Sequence, residues 1–372
     1  MKILCNTKLL TSAVTNVCRA VSSKSTIPVL EGILISAHDN QIVLSGYDLE
    51  IGITTKIEAT VYKEGSVVLN ARLFSEIVRK MPEEEISIDV NKKNIATISS
   101  GIAKFSISAQ DSLQYPEMPS FDNEDHINVN SGIFKNMIEQ TLFAIAVNDS
   151  KPVHMGSLIE CKNGVLTIVS VDGIRLALKK TNIEYVGDKS VVVPGKTLSE
   201  IPKLISDNEN FVKISVSNKH IIFEIEECRV ISRLLEGSFL DYKSSIPQNH
   251  STEVIVSPKD LIESIERTSL VIFDKLKAPI KLTLEDNVIK FYCNSTTGNA
   301  YDELSCQVIG DQFEIGFNSR AMLDALRVIT DENVRLLFNG PLSPMKIVPL
   351  DSDEFVFLIL PVRLKNEDKT ED

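Results

Sequence analysis

Asp48 and Asp172 stand 124 residues apart in similar surroundings, Gly46-Tyr47-Asp48-Leu49-Glu50-Ile51 and Ser170-Val171-Asp172-Gly173-Ile174-Arg175. Paired carboxylates can do general acid–base work, so a hydrolase is the first reading to weigh. The spacing argues against it. The third copy has Thr296 at the corresponding place, and acids spread over equivalent positions about a domain apart do not converge on one bond. The six cysteines (Cys5, Cys18, Cys161, Cys228, Cys293, Cys306) are far apart with no CxxC, and read as reduced, buried thiols. The five histidines (His38, His126, His154, His220, His250) lack metal-ligand spacing, so neither a zinc site nor any other cofactor is expected.

The elements that carry these residues repeat. Ser66-Val67-Val68-Leu69 runs into Phe74-Ser75-Glu76-Ile77. The pattern returns at Ser190-Val191-Val192-Val193 with Leu198-Ser199-Glu200-Ile201, and at Glu314-Ile315-Gly316-Phe317 with Met322-Leu323-Asp324-Ala325. The step is 124 residues and the chain has 372, so three domains are expected: 1–124, 125–250, and 251–372 with a short polar tail from about 365. A unit of about 120 residues can bury its own core. Helical spacing predicts helices near 8–21 and 72–81, 132–146 and 197–206, and 258–271 and 319–329, with Pro202 an obstacle inside the fourth. Period-2 runs such as 32–36, 41–45, 86–90, 95–99 and 104–108 predict strands, about seven or eight per domain, with a turn at 91–94. The expected class is α+β, two amphipathic helices per domain packed on curved antiparallel sheet.

Charged residues make up 24% and apolar residues 43% of the chain, an ordinary globular balance, and no apolar run is long enough to span a bilayer. The start, Met1-Lys2-Ile3-Leu4-Cys5-Asn6, has no signal-peptide pattern, so a cytoplasmic location is expected. The net charge of −12 argues against nucleic-acid binding. The outward helix faces nevertheless lean basic. Lys8, Arg19, Arg72, Arg79 and Lys80 stand against Glu76 in the first repeat, and Lys135, Lys196 and Lys203 against Glu139 and Glu200 in the second. In the third, Lys259, Arg267, Arg320 and Arg327 stand against Asp260, Glu263, Glu266 and Asp324. Acid concentrates elsewhere, at Glu83-Glu84-Glu85, Asp122–Asp125, Glu224–Glu227 and Glu367–Asp372. Two readings stay open. These are solvated faces, or matching helices form a wall that attracts phosphates without reading bases.

Four segments make the pattern specific: Gly46–Ile51, Ser170–Ala177, Leu235-Glu236-Gly237-Ser238-Phe239-Leu240-Asp241-Tyr242 and Leu360-Pro361-Val362-Arg363-Leu364. In this order, with the triplication, the chain closely resembles the bacterial DNA polymerase III beta subunit family, the replicative sliding clamps. The resemblance spans essentially the whole chain. It implies the DNA clamp fold, with two chains joined head to tail into a ring of six similar domains around duplex DNA. It implies no reaction of the protein's own, but processivity for a replicative polymerase. It also implies docking of polymerase, clamp loader and repair proteins through short linear motifs, and no membrane partner.

Carried over by position, the resemblance implies DNA contacts at Lys24, Arg72, Arg79, Asn148, Lys151, Lys196 and Lys203. It implies a dimer seam at Phe105 and Ile107 and around Leu270, Val271 and Phe273, although Phe105 and Ile107 could equally pack into their own core. It implies a peptide pocket from Val171, Gly173, Arg175, Leu176 and Leu240, from Asn318, Leu342, Pro344 and Met345, and from Leu358, Leu360, Pro361, Val362 and Arg363. For Leu176 and Leu358 an ordinary core role is equally open. Ile174, Ser244, Ser245 and Ala321 depart from residues common in the family, which bears on the pocket's preference. The tail Lys365–Asp372 starts beside the pocket and could shield it electrostatically. The alternative function is a peptide-binding scaffold that never encircles DNA.

Overall fold

The computed structural model describes residues 1–121, 125–148, 150–272 and 278–364. Phe273 and the tail from Lys365 lie outside the described residues. The chain forms two compact units, one of 1–134 with 199–234, the other of 135–198 with 235–372. The middle third of the sequence is thus shared between them.

In the first unit, helices α1 (Thr7–Cys18) and α2 (Ala71–Arg79) pack against each other. Leu10, Ala13, Val14 and Val17 form the buried stripe of α1, and Phe74, Ile77 and Val78 that of α2. Gly46 lets α1 approach the sheet: a Cβ there would sit 2.2 Å from the Val17 carbonyl oxygen. An eight-stranded antiparallel sheet runs in the order 126–130, 211–216, 220–225, 228–233, 51–58, 41–47, 32–38, 65–70. Its central seam pairs Thr55 with Cys228, so strands of the first and second sequence repeats share one sheet. A five-stranded sheet has the order 60–63, 2–6, 85–90, 95–100, 103–108.

In the second unit a nine-stranded antiparallel sheet runs 189–194, 156–162, 165–171, 175–182, 355–359, 345–349, 334–338, 252–256, 307–310. Arg175–Asn182 pairs with Phe355–Ile359, joining the second repeat to the third. A four-stranded sheet has the order 298–305, 288–295, 280–285, 313–317. The core under it includes Phe291, Phe317 and Phe338, and Phe355 stacks on Phe357 at 4.7 Å. The remaining helices are α3 (Ser131–Glu139), α4 (Gly195–Glu200), α5 (Tyr242–Ser245), α6 (Pro258–Ser269) and α7 (Ser319–Leu326).

Five of these helices start on a side-chain cap that either ends a strand or directly follows one. Asn6, Asn130, Ser257, Asn70 and Asn318 each accept a backbone N–H of the first turn, at 3.0–3.3 Å. Such a cap satisfies one of the orphan donors of a helix start. Asn70→Ala is expected to cost about 1 kcal/mol. Urea unfolding checks this, and a loss below about 0.2 kcal/mol would mean water serves the end equally well.

Several helices end earlier than their apolar spacing predicts. The stretch 132–146 is helical only to Glu139. There Thr141 turns its hydroxyl back to the carbonyls of Met137 (2.8 Å) and Ile138 (3.3 Å), and a 3-10 turn, Leu142–Ala144, follows. The stretch 197–206 becomes α4 and then a 3-10 turn at Ile201–Lys203, because Pro202 has no N–H to give. α6 stops at Ser269, whose hydroxyl donates to the Glu266 carbonyl, and α7 stops at Leu326. The thirds of the chain hold nine, eight and nine strands among the described residues.

Candidate functional site

The two recurrent aspartates are turn residues. Asp172 Oδ1 accepts the N–H groups of Ile174 and Arg175, both at 3.1 Å, while Gly173 takes φ +87°. Asp48 does the same for Glu50 (3.0 Å) and Ile51 (2.8 Å), with Leu49 at φ +76°. In the third copy Ser295 Oγ accepts the N–H of Thr297 at 3.2 Å, one position before Thr296. Each closes a hairpin by side-chain mimicry of a turn, and one aspartate lies in each unit. The periodicity of these acids is the periodicity of a hairpin.

In the second unit the Asp172 turn opens onto an apolar strip. Arg175 leads the strand 175–182, and its guanidinium is held by two carboxylates, Asp172 Oδ2 at 2.9 Å and Asp324 Oδ2 at 2.6 Å. It lies over the Phe143 ring, 5.4 Å from the centroid. Arg175, Asp172 and Asp324 are only 15%, 13% and 28% exposed. Leu176 pairs with Leu358 across the strands, and both are buried with Val171 in a cluster that also holds Tyr242. Past Ile359 the backbone stays tied: the Leu360 N–H donates to the Ile174 carbonyl (2.9 Å) and the Val362 N–H to the Gly316 carbonyl (2.8 Å).

This tether holds large apolar side chains outward. Ile174, Leu360 and Val362 are 47%, 42% and 38% exposed, and Leu240 and Leu342 are exposed as well. Of the other pocket candidates, Met345 is buried, Pro344, Pro361 and Asn318 are half-buried, and Gly173 and Arg363 are exposed. Val171, Leu176 and Leu358 therefore form a floor on which the exposed residues stand, while Met345, paired with Ile359, packs into the core on the opposite face of the sheet. Asn318 has a local task too, capping α7 through Ala321. Of the departures, Ser244 and Ser245 donate to the Asp241 carbonyl, and Ala321 is buried on α7. Sequence reasoning missed Asp324 and Phe143, which seat Arg175. Only the Asp-x-x-Arg spacing of the turn hinted at half of that arrangement. A strip of this kind suits the apolar anchors of a short peptide.

All seven DNA-contact candidates are exposed. In the first unit Lys24 follows α1, Arg72 and Arg79 project from α2, and Lys203 ends the 3-10 turn after α4. In the second unit Asn148 and Lys151 precede a 3-10 turn at Pro152–Met155, and Lys196 is on α4. Arg72 meets Glu76 at 3.3 Å, and Lys203 meets Glu200 at 2.8 Å. Glu200 also takes Arg19 at 3.1 Å. Burial would raise its pKa, but the hydrogen bonds from Lys203 and Arg19 outweigh that and hold the carboxyl below its usual range. Among the described residues no carboxylate pairs with Lys8, Lys24, Arg79 or Lys80. Lys8 and Arg79 border a groove of about 470 Å³ between α1 and α2. The third-repeat cations differ: Arg267 is held by Asp302 and Arg327 by Glu266, both at 2.7 Å.

The seam candidates fall on exposed features. Phe105 is 42% exposed on 103–108, the edge strand of the five-stranded sheet, and Ile107 is half-buried. Leu270, just after α6, is 79% exposed and Val271 half-buried. Among the described residues no helix is long and apolar enough to cross a membrane, and no cluster of acidic, histidine and cysteine side chains could hold a metal ion.

Comparison with known proteins gives the same architecture over the whole chain. Residues 1–119, 128–241 and 243–363 match, in order, the N-terminal, central and C-terminal domains of the DNA polymerase III beta subunit. The Bacillus subtilis beta sliding clamp is 34% identical, covering 98% of this chain and all of that one. The Staphylococcus aureus beta sliding clamp is 33% identical over 93% of this chain and 94% of its own length. The crystal structure of the B. subtilis DNA polymerase sliding clamp superposes with a TM-score of 0.95, at 33% identity, over 98% of this chain and all of that one. A Pseudomonas aeruginosa sliding clamp bound to griselimycin gives 0.93 at 26% identity, with the same coverage. With three family domains in order and relatives matched end to end, the chain belongs to the DNA polymerase III beta subunit family, the beta sliding clamps.

Proposed function

We propose that two copies of this chain pair head to tail into a ring that encircles duplex DNA and confers processivity on the replicative polymerase. The observation that carries this is that Lys8, Lys24, Arg79 and Lys80, on or just after α1 and α2, have no carboxylate partner among the described residues, in a protein of net charge −12. Lys24, Arg72, Arg79, Asn148, Lys151, Lys196 and Lys203 meet phosphates, with no demand on base sequence. Three domains, about 1–124, 125–250 and 251–372, each contribute a helix pair to the ring. The edge strand bearing Phe105 and Ile107 joins the partner's segment around Leu270, an arrangement that covers an open edge. The protein works in the cytoplasm and catalyses no reaction. Loading by clamp loader and ATP onto nicked circular DNA, followed by linearisation, tests the ring. The protein should stay on circles and leave once they are cut. Retention after cutting would favour a scaffold that binds DNA from outside.

Partners dock as short peptides whose apolar anchors seat on Ile174, Leu360 and Val362 over the Leu176–Leu358 floor. Leu360→Asp with Ile174→Asp is expected to weaken such a peptide at least about thirtyfold, since each carboxylate must be desolvated against an anchor. Fluorescence anisotropy measures it. Both side chains are outward, so unfolding free energy should shift by less than about 1 kcal/mol. Unchanged affinity in a folded variant would move the pocket elsewhere.

A further inference from the structure

The floor of the peptide pocket does not stop at Leu176 and Leu358. The next pair on the same face of the same two strands is Leu178 and Val356, about 7 Å further along. That pair floors a second groove of about 490 Å³, which Tyr242 and Lys243 wall on one side. Leu240, at the pocket, and Tyr242, at the groove, are two residues apart, so a single short segment borders both.

The groove's charges are unequal: Lys162, Lys180 and Lys243 face Glu160 and Asp353. Lys243 is committed to Glu160 at 3.1 Å, and the Tyr242 hydroxyl donates to the same carboxylate at 2.8 Å. Burial and that carboxylate push the Tyr242 phenol up to about 12, so it remains a donor. Lys180 pairs with Asp353, which is 82% exposed. Lys162 is exposed and acts on Glu160 only through space, with no hydrogen bond between them. An apolar floor with a surplus cation at its rim suits an extended chain that carries an acidic side chain.

We infer that the peptide site is longer than its apolar core, and that the groove over Leu178 and Val356 takes an acidic flank of the same bound peptide, paired with Lys162 and Lys180. This rests on the peptide-pocket reading above. The occupant is the continuing chain of the docked partner, because groove and pocket are successive register steps of one strand pair.

The test uses fluorescent synthetic decapeptides with a Leu-Phe anchor and a three-residue flank, glutamate or glutamine, placed before or after the anchor. At about 50 mM salt, where screening is weak, one of the two glutamate peptides should bind about fivefold tighter than its glutamine counterpart, the value of one well-placed exposed ion pair. Lys162→Gln with Lys180→Gln should bring the two affinities together, and so should high salt. If all peptides bind and the flank makes no difference, or the difference survives in the double variant, the groove plays no part and the core pocket stands. If no peptide binds, the pocket reading falls and the extension falls with it.

Discussion

Reversing Arg72, Lys196 and Lys203 to glutamate together will cut equilibrium binding to a short linear duplex at least about tenfold at moderate salt. The reason is counterion release. Each phosphate contact contributes about 0.9 to the slope of log K against log salt, so losing three should flatten that slope by about 2 to 3. The three side chains are exposed, so the change acts on the field and little on the core. Arg72→Glu places two acids four apart on α2, with Glu76, at a cost of a few tenths of a kcal/mol. Lys203→Glu leaves Glu200 its other partner, Arg19. Affinity for a fluorescent anchor peptide should not move, because Ile174, Leu360 and Val362 are untouched. Duplex binding across a salt series decides the matter. An unchanged slope would mean that these cations are only solvated faces.

The same set shows what the residues told in advance. The 124-residue period was legible because it is written in local signals: apolar spacing, hairpin turns and the strand that runs into a capped helix. Asn70 and Asn318 are caps a multiple of that period apart, as are Asn6 and Asn130. Helix ends were less legible. Thr141 and Pro202 each override a continuing apolar stripe, one by offering its hydroxyl to the backbone and one by lacking a donor. The merging of repeats was not legible at all. Thr55 meets Cys228 and Leu176 meets Leu358 across most of two hundred residues, and no local periodicity encodes such a pairing. The candidate pocket shows the same division. Its residue types were visible, but two backbone bonds hold Leu360 and Val362 outward, while burial makes Val171, Leu176 and Leu358 floor.

Replacing Arg175 by methionine will cost about 3 kcal/mol of unfolding free energy, far more than its surface position in the sequence suggests. The guanidinium fills a slot between Asp172 and Asp324 with the Phe143 ring below it. Methionine keeps much of the packing volume and removes the charge, so what is lost is compensation. Asp172 retains the N–H groups of its own turn on Oδ1 and loses only the partner of Oδ2. Asp324 loses its 2.6 Å partner and is left partly buried on α7. A double variant with Asp324→Asn should therefore be less damaged than the two single losses added, by about 2 kcal/mol of coupling. Arg175→Lys should fall between, since one ammonium cannot span two carboxylates and lacks the planar face that lies on the ring. The consequence reaches the pocket, because the Ile174 carbonyl that anchors Leu360 belongs to the turn that Arg175 braces. Peptide affinity should fall in Arg175→Met even where the protein is fully folded, and recover in part in the double variant. Urea unfolding with peptide titration on the unaltered protein and these four variants checks both. A loss under about 1 kcal/mol, or strict additivity with Asp324→Asn, would show that solvent already satisfies these carboxylates.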